Sequence, residues 1–216
     1  MTHVLSEAES KRVLAAHGIP VLDERTTTTP DGAVATAAAL GYPVVVKLCG
    51  PGIAHKTERG LVRLALADAG AVRGAGTELL AAAVPTDGPV ELLVAPMVRG
   101  ARELIAGVHA DPQFGRCVMV GVGGILAEAV GDVAFRLVPL ERVDAEEMLE
   151  DLATGAVLDE FRGEPPADRE AVAEVLLGLS RLAQQEPALV SVDVNPMILV
   201  DGKPVAVDAL VEVERS

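Results

Sequence analysis

The chain has 216 residues, enough for one domain of ordinary size or for two small lobes that share a core. Half of the residues are hydrophobic and 23% are charged, with one Tyr, three Phe and no Trp, so Ala, Val, Leu and Gly must form the core of a globular protein. The formal net charge of −14 argues against non-specific binding to nucleic acid or to an anionic membrane.

The charge is unevenly distributed along the chain. Residues 1–97 carry 8 basic and 10 acidic side chains, whereas residues 98–216 carry 10 basic and 22 acidic ones. A polyphosphate ligand would therefore need a local group of cations or a metal. The first half offers such a group at Lys47, His55, Lys56, Arg59 and Arg63. We expect a cationic lobe and a second lobe suited to a divalent metal.

No signal sequence or membrane span is apparent. The N-terminal stretch has no basic head followed by an apolar segment, and no run approaches about 18 uncharged apolar residues. Cys49 and Cys117 lie within apolar runs, which predicts that both are buried and reduced. We expect a cytosolic (cytoplasmic) protein with no membrane contact.

The first half of the chain predicts helices and strands in alternation. Ser6 and Glu9 have the spacing of a capping box, and Thr29-Pro30 opens a second helix. In chain order the predicted elements are a helix over 8–17, a short strand over 20–24 ("PVLDE"), a helix over 31–40, a strand over 44–48, a loop over 50–60, a strand over 61–66 and a helix from Asp68 to about Val84.

The second half predicts mostly strands. These are expected over 90–98, 102–110 and 116–124, followed by helices over 143–152 and 168–184 and a hairpin over 188–211. No βαβ dinucleotide fingerprint occurs in the sequence. The expected fold class is α+β with two lobes.

The loop "GPGIAHKTERG" over 50–60 superficially resembles a phosphate loop. His55 stands where that pattern has its second Gly, and the segment after the loop alternates as a strand does, whereas a phosphate loop must lead into a helix. We therefore predict a loop between two strands. Its glycines, Gly50, Gly52 and Gly60, would let it lie over a bound nucleotide.

Three side chains around this loop are candidates for phosphate chemistry. His55 is able to act as a nucleophile toward phosphorus near neutral pH, with Lys56 beside it to offset the charge. Lys47 ends an apolar strand, so its ammonium must meet an anion or reach solvent. The alternatives are a polar loop without chemistry and a lysine that extends into water at a strand end.

The terminal hairpin predicts a metal site. If residues 201–202 form a two-residue turn, Asn195 lies opposite Asp208, and Asp193 points to the same face. Two carboxylates and an amide oxygen are ligands suited to Mg²⁺ that is held mainly by nucleotide phosphates. Pro196 could shift the register by one residue, and a merely polar outer face of an edge hairpin is the alternative.

Five segments in order carry a family resemblance. They are "LSEAESKRVLAAHGIPV", "GYPVVVKLCGPGIAHKTERG", "DPQFGRCVMVGVGGILAEAVGDVAFRLVPL", "FRGEPPAD" and "SVDVNPMILVDGKPVAVDA". With them the chain resembles, nearly end to end, the ATP-grasp (beta) subunit of ADP-forming (NDP-forming) acyl-CoA synthetases, relatives of succinyl-CoA synthetase. The resemblance implies an ATP-grasp fold in which two α/β lobes clasp a nucleotide. The flap lobe would span 20–96, and the metal and phosphate lobe 1–19 and 97–216.

The resemblance also implies roles for individual residues. At the nucleotide it places Lys47, Gly52 and Glu103, with the backbone of Val94, Ala95, Pro96 and Met97 holding adenine. At the transferring phosphoryl group it places Asn195 and Asp208 as Mg²⁺ ligands, Asp193 and Glu128 nearby, and His55 as a transient phosphoryl carrier beside Lys56. One departure is Gly60-Leu61, where the family commonly has two glycines.

By the same resemblance the chain is half of an enzyme. Acyl-CoA and phosphate would give an acyl phosphate, which phosphorylates a histidine on a CoA-binding alpha subunit or fused domain, and the phosphoryl group then passes to ADP on this chain. ATP or ADP and Mg²⁺ are the implied cofactors, and a heterotetramer is one assembly compatible with this scheme. Two alternatives remain: a freestanding ATP-grasp ligase that joins a carboxylate to an amine, and a nucleotide-sensing regulatory subunit without catalysis.

Overall fold

The computed structural model describes residues 2–53, 56–100, 102–124, 131–160 and 163–214. The chain divides into two compact units. The lysine unit comprises Val4–Glu9 and Leu22–Val98, and the hairpin unit comprises Met1–His3, Ser10–Val21 and Arg99–Ser216. The predicted ATP-grasp lobes, which change over near residues 20 and 97, stay a prediction.

The described residues form helices and antiparallel strands. In chain order they are β1 (Thr2–Val4), α1 (Glu7–Ala16), β2 (Arg25–Thr27), α2 (Pro30–Leu40), β3 (Val44–Cys49), β4 (Val62–Leu66), α3 (Ala69–Ala81), β5 (Glu91–Pro96), β6 (Glu103–Asp111), β7 (Gly115–Val122), β8 (Val133–Leu137), α4 (Arg142–Glu150), α5 (Arg169–Gln185), β9 (Leu189–Val200), β10 (Lys203–Ala206) and β11 (Ala209–Glu214). Mixed helices and antiparallel sheets confirm the predicted α+β class.

The lysine unit has a four-stranded sheet in the order β2-β5-β3-β4, against which α2 and α3 pack. Polar side chains start both helices as the sequence predicts. The hydroxyl of Thr29 accepts the N–H of Gly32 at 3.1 Å, and Asp68 accepts the N–H of Ala71 at 2.9 Å. Each cap satisfies a backbone donor that the helix itself leaves unpaired.

The hairpin unit has a seven-stranded sheet in the order β1-β11-β9-β6-β7-β8, with β10 also paired to β9. Helix α5 contacts β6, β7 and β10, and nine of its residues are buried. The turn at the end of the sheet's long strand has Asp201 at φ 49° and Gly202 at φ 81°. Two left-handed residues in succession are typical of the two-residue hairpin turn that the sequence predicts.

One predicted strand, over 20–24, was wrong, and three strands, β1, β2 and β8, were not predicted. Residues 20–24 make only a single bridge, between Val21 and Ala206, because the chain passes there from one compact unit to the other. Strand β8 was missed, because Val133, Phe135 and Leu137 turn their apolar side chains outward and reverse the pattern of a half-buried strand.

Two further sequence predictions concern cysteines and membranes. Cys49 and Cys117 are both buried and free, as predicted. Within the described ranges, no helix has the length and apolar character that crossing a bilayer requires.

Candidate functional site

Three ionic side chains meet in the lysine unit. Lys47 on β3 donates from Nζ to Oε1 of Glu7 at 2.6 Å. The Nζ of Lys56 lies 3.1 Å from Oε2 of the same carboxylate. Glu7 is 3% exposed, Lys47 5% and Lys56 7%. We call these three residues the ion triad.

Burial makes the ion triad energetically important. Isolated charges are expensive to remove from water, so buried lysines require a carboxylate or an equivalent anion. One carboxylate serves two ammonium groups here, which leaves the three side chains with one net positive charge. The ammonium of Lys47 therefore meets an anion inside the unit and does not extend into water.

A buried thiol lies beside the triad. Burial raises the pKa of Cys49 above its ordinary value, and the negative charge of Glu7 acts in the same direction. Cys49 packs with Leu93 and Ala95 and with the half-buried Ala8. The thiol therefore stays protonated at neutral pH and contributes apolar packing.

The two arginines of the predicted cation group are held by acidic residues. Arg59 donates to both carboxylate oxygens of Asp87 at 2.8 and 3.0 Å, and these bonds hold the pKa of Asp87 below its usual value. Arg63 donates to Glu78 at 3.2 Å and to the carbonyl of Gly60 at 2.7 Å. Both arginines therefore have acidic partners in this structure, as the two lysines do.

Gly52 lies where the loop touches a neighbouring turn. Its N–H donates to the carbonyl of Asp87 at 3.1 Å, and a Cβ at this position would overlap the carbonyl oxygen of Thr86. A glycine is therefore required here for close backbone approach. Its predicted contact with a nucleotide stays a prediction.

The segment expected to hold adenine is the end of β5 and the residue beyond it. Val94 and Ala95 are buried and pair with Val46 and Val45 on β3. Beyond Pro96, the N–H of Met97 donates to the carbonyl of Pro43 at 3.0 Å. The backbone here is fixed on both sides of Pro96, which suits a rigid wall. Its contact with adenine remains a prediction.

The predicted register of the terminal hairpin is confirmed. Strand β10 pairs Lys203 with Val200, and the N–H of Asn195 donates to the carbonyl of Asp208 at 3.2 Å. The hairpin keeps one register on both sides of Pro196, with Met197 paired to Ala206 and Val194 paired to Ala209. In that register Asn195 lies opposite Asp208.

Asp193 and Glu103 lie on the same sheet face as this pair. Along β9, Asp193 and Asn195 are exposed while Val192 and Val194 are buried, so the two polar residues share the outer face. Asp193 pairs with Gly107 on β6, and the β6–β9 register shifts by one residue between Leu104 and Ala106. Along β6, Leu104 and Ala106 are buried while Glu103 is partly exposed, so Glu103 lies on the outer face too. We call Glu103, Asp193, Asn195 and Asp208 the acidic face.

The chemistry of the acidic face fits a hard cation. One oxygen of Asp208 accepts the N–H of Ala209 at 2.8 Å, which orients the carboxylate. Among the residues that the structure describes, no group of three or more His, Cys, Asp or Glu is arranged to hold a metal alone. A few protein oxygens completed by ligand phosphates and water are the usual environment of Mg²⁺.

Two predicted site residues, His55 and Glu128, lie outside the described residues. Their predicted roles rest on the sequence alone.

Sequence reasoning overlooked Glu7. It lies in the first turn of α1, where acidic residues commonly stabilise a helix N-terminus, and this ordinary explanation concealed its partners 40 and 49 positions away. The available signal was indirect: a lysine within a fully buried strand requires a counterion somewhere in the chain.

Arg102 was overlooked as well. It is 1% exposed and donates to the carboxylate of Glu164 at 3.1 Å and to the carbonyl of Asp159 at 3.0 Å. It also donates to the carbonyl of Pro165 at 2.5 Å. This side chain holds the backbone of Asp159 and Pro165 together with the carboxylate of Glu164.

Comparison with known proteins places these features in context. The model of the ATP-grasp domain family matches residues 1–213. The beta subunit of the ADP-forming acetate–CoA ligase II of Pyrococcus furiosus is 37% identical over 197 residues, which are 89% of this chain and 84% of that one. The ADP-forming acetate–CoA ligase I of Archaeoglobus fulgidus is 36% identical over 93% of this chain, and this chain spans only 30% of that longer protein.

Solved structures show the same similarity. The acetyl-coenzyme A synthetase 1 of Ca. Korarchaeum cryptofilum, in complex with coenzyme A and Ca-AMPCP, matches with a TM-score of 0.91 and 33% identity over 98% of this chain and 94% of that one. A second structure of that enzyme contains Mg-AMPPCP, with a phosphohistidine segment pointing towards the nucleotide binding site, and matches with a TM-score of 0.82.

Proposed function

Because the chain belongs to the ATP-grasp family and, within it, to the beta subunits of ADP-forming acetate–CoA ligases, we propose that it is the nucleotide-binding half of an ADP-forming acyl-CoA synthetase. It binds ADP or ATP with Mg²⁺ and passes a phosphoryl group between the nucleotide and a phosphohistidine on a CoA-binding partner. The observation that supports this proposal most strongly is the match to 84% of the Pyrococcus furiosus chain, which is itself a separate beta subunit.

The lysine unit supplies the cations in this proposal. Lys47 and Lys56 neutralise the nucleotide phosphates, and their burial strengthens that interaction because little water screens it. The end of β5 and Met97 form the rigid backbone against which adenine stacks and forms hydrogen bonds. Gly52 permits the loop to pass close to the bound nucleotide.

The hairpin unit supplies the metal ligands. Asn195 and Asp208 provide oxygens to Mg²⁺, and their opposed positions in the ladder support this assignment. When bound, the metal neutralises charge on the phosphates during transfer. Asp193 and Glu103 add negative potential on the same face, which favours divalent over monovalent cations.

Phosphoryl transfer would involve residues near the acidic face and the loop. Asp193 and Glu128 orient the transferring group, and His55 accepts it transiently before ADP does. The Ca. Korarchaeum cryptofilum structure whose phosphohistidine segment points towards the nucleotide binding site supports delivery from a partner histidine.

The partner is either a separate subunit or a fused domain. Relatives of both kinds exist, since this chain spans 84% of one and 30% of another. We propose a CoA-binding alpha subunit and a heterotetramer. The free, buried cysteines are compatible with a reducing cytoplasmic location.

Reconstitution tests the proposal. The 216-residue chain is assayed alone and together with the CoA-binding partner for ATP formation from acetyl-CoA, ADP and phosphate. We expect ATP only from the combination, since the chain lacks a CoA-binding fingerprint. ATP formation by the chain alone would refute the division of labour. Amide formation from ATP, a carboxylate and an amine, measured separately, would favour the freestanding ligase.

A rapid-quench experiment tests His55. In the reconstituted enzyme we expect an acid-labile, base-stable phosphate on this chain, absent from His55→Ala, with ADP affinity nearly unchanged because Lys47 and the metal ligands remain. Full turnover by His55→Asn would show that the phosphoryl group passes directly from the partner to ADP.

A further inference from the structure

The ion triad has a feature that the proposed function does not require. Its carboxylate occupies both lysines that the nucleotide phosphates would contact. We propose that Glu7 is an internal competitor of phosphate: it neutralises Lys47 and Lys56 in the nucleotide-free chain, and phosphate oxygens replace it on at least one lysine. The inference rests on the proposed role of these lysines in nucleotide binding.

The geometry indicates that phosphate must replace the carboxylate of Glu7 and cannot simply bind beside it. The side chains of Lys47 and Lys56 are each 7% exposed and that of Glu7 is 1% exposed, so a phosphate cannot contact both ammonium groups in this arrangement. The two oxygens of the carboxylate each engage one lysine, at 2.6 and 3.1 Å. A phosphate group also presents several oxygens to cations and can serve the same pair.

Of the two lysines in the ion triad, Lys56 is the one that we expect to move. Lys47 lies within β3, paired with Leu93 on one side and with Val62 on the other, so its backbone is fixed. Lys56 lies in the turn before β4, where its carbonyl accepts the N–H of Leu61 at 2.8 Å. Its contact with Glu7 ties that turn to the start of α1. We therefore expect the contact between Lys56 and Glu7 to be the one that phosphate replaces.

Charge explains why phosphate is able to displace the carboxylate. The three side chains carry one net positive charge together, so a multiply charged phosphate is attracted before any contact breaks. Without the carboxylate, the two buried ammonium groups would lose the anion that they share, and the affinity for phosphate would rise. Glu7 therefore weakens the binding of phosphate-bearing ligands and prevents the lysines from repelling each other in their absence.

The test compares Glu7→Gln with a matched control, Glu9→Gln. The control makes the same charge change in the same helical turn, but Oε2 of Glu9 accepts the N–H and hydroxyl of Ser6 at 2.9 and 2.7 Å. Calorimetry with inorganic pyrophosphate, Mg-ADP and adenosine is performed on both variants and the wild type. We expect Glu7→Gln to bind pyrophosphate and ADP about tenfold more tightly, as expected for the loss of one charge-assisted competitor, with adenosine affinity unchanged.

Each other outcome is decisive. Equal pyrophosphate affinity in Glu7→Gln and wild type, or weaker affinity, would overturn the proposal, because Glu7 would then be a structural or permanent part of the site. A wild type that binds no ADP would instead refute the nucleotide site, whatever pyrophosphate does. If Glu7→Gln does not fold, Glu7→Asp is measured instead. Its shorter carboxylate should raise the affinity for pyrophosphate about threefold, less than removal of the carboxylate would. An unchanged affinity in Glu7→Asp would refute the competition.

Discussion

The two ionic regions of this molecule are built in opposite ways. In the lysine unit, cations are buried against one carboxylate that is distant in sequence. In the hairpin unit, the residues proposed as metal ligands lie on the outer face of a sheet, where Asp193 and Asn195 are exposed and Asp208 is partly exposed. A buried charge must be neutralised by the protein, so it contributes strongly to stability when paired and costs much when it is not. A carboxylate that water still reaches keeps much of its hydration, so it depends less on a partner inside the protein.

This contrast predicts which property each region controls. Changes in the ion triad alter both folding stability and phosphate affinity, since the same contacts serve both. Changes on the acidic face alter metal-dependent binding with little effect on folding, because exposed polar side chains contribute little to stability.

Lys47→Met should have the largest effect. It removes the 2.6 Å hydrogen bond to the buried carboxylate of Glu7, so we expect the free energy of unfolding to fall by about 3 kcal/mol. Because one proposed phosphate contact is lost as well, ADP affinity should fall at least about 30-fold. Urea unfolding measures the free energy of unfolding, and calorimetry measures the affinity for ADP. Lys203→Met, at an exposed lysine of β10, is the control and should change stability by less than about 0.5 kcal/mol. Equal stability of the two variants would contradict the contrast.

Asp208→Asn tests the other region. We expect ADP affinity in Mg²⁺ to fall about tenfold, no change in affinity without Mg²⁺, and a free energy of unfolding within about 1 kcal/mol of the wild type. Glu214→Gln makes the same charge change at the exposed end of β11 and should leave both affinities unaltered. A fall that is equal with and without Mg²⁺ would remove Asp208 from the metal site.

The pair of Arg59 and Asp87 should have a smaller effect that depends on pH. The pKa of Asp87 is lowered in the folded chain, so the carboxylate stabilises the fold above the unfolded pKa of about 3.9, and this contribution is lost as pH falls through the folded pKa. Asp87→Asn should cost roughly 2 kcal/mol at pH 7. The difference from wild type should shrink below about pH 4, as measured by thermal unfolding. A difference that stays constant down to pH 2 would show that the cost is steric.

The two regions also differ in how well the sequence predicts them, because one depends on residues close in sequence and the other on distant residues. The opposition of Asn195 and Asp208 was predictable, because a two-residue turn fixes which residues of a hairpin lie opposite each other. Both residues lie only a few positions from that turn. The helix caps at Thr29 and Asp68 were predictable for the same reason, since each bond spans three residues.

Features that depend on distant packing were not predictable. The contact of Glu7 with Lys47 joins residues 40 positions apart, and no local pattern selects a partner at that distance. Gly52 was assigned to nucleotide contact, but no local pattern indicates that the turn at Thr86 also excludes a side chain there. Strand β8 escaped notice because its apolar side chains face outward.

The central claim is that ADP on this chain receives a phosphoryl group from the partner's histidine. A single-turnover experiment tests it most directly: the CoA-binding partner is phosphorylated on histidine, freed of small molecules and mixed with this chain and Mg-ADP. We expect one ATP for each phosphohistidine consumed, at a rate that falls in Asp208→Asn and is zero without this chain. Loss of the label as inorganic phosphate, or equal ATP formation without the chain, would contradict the account.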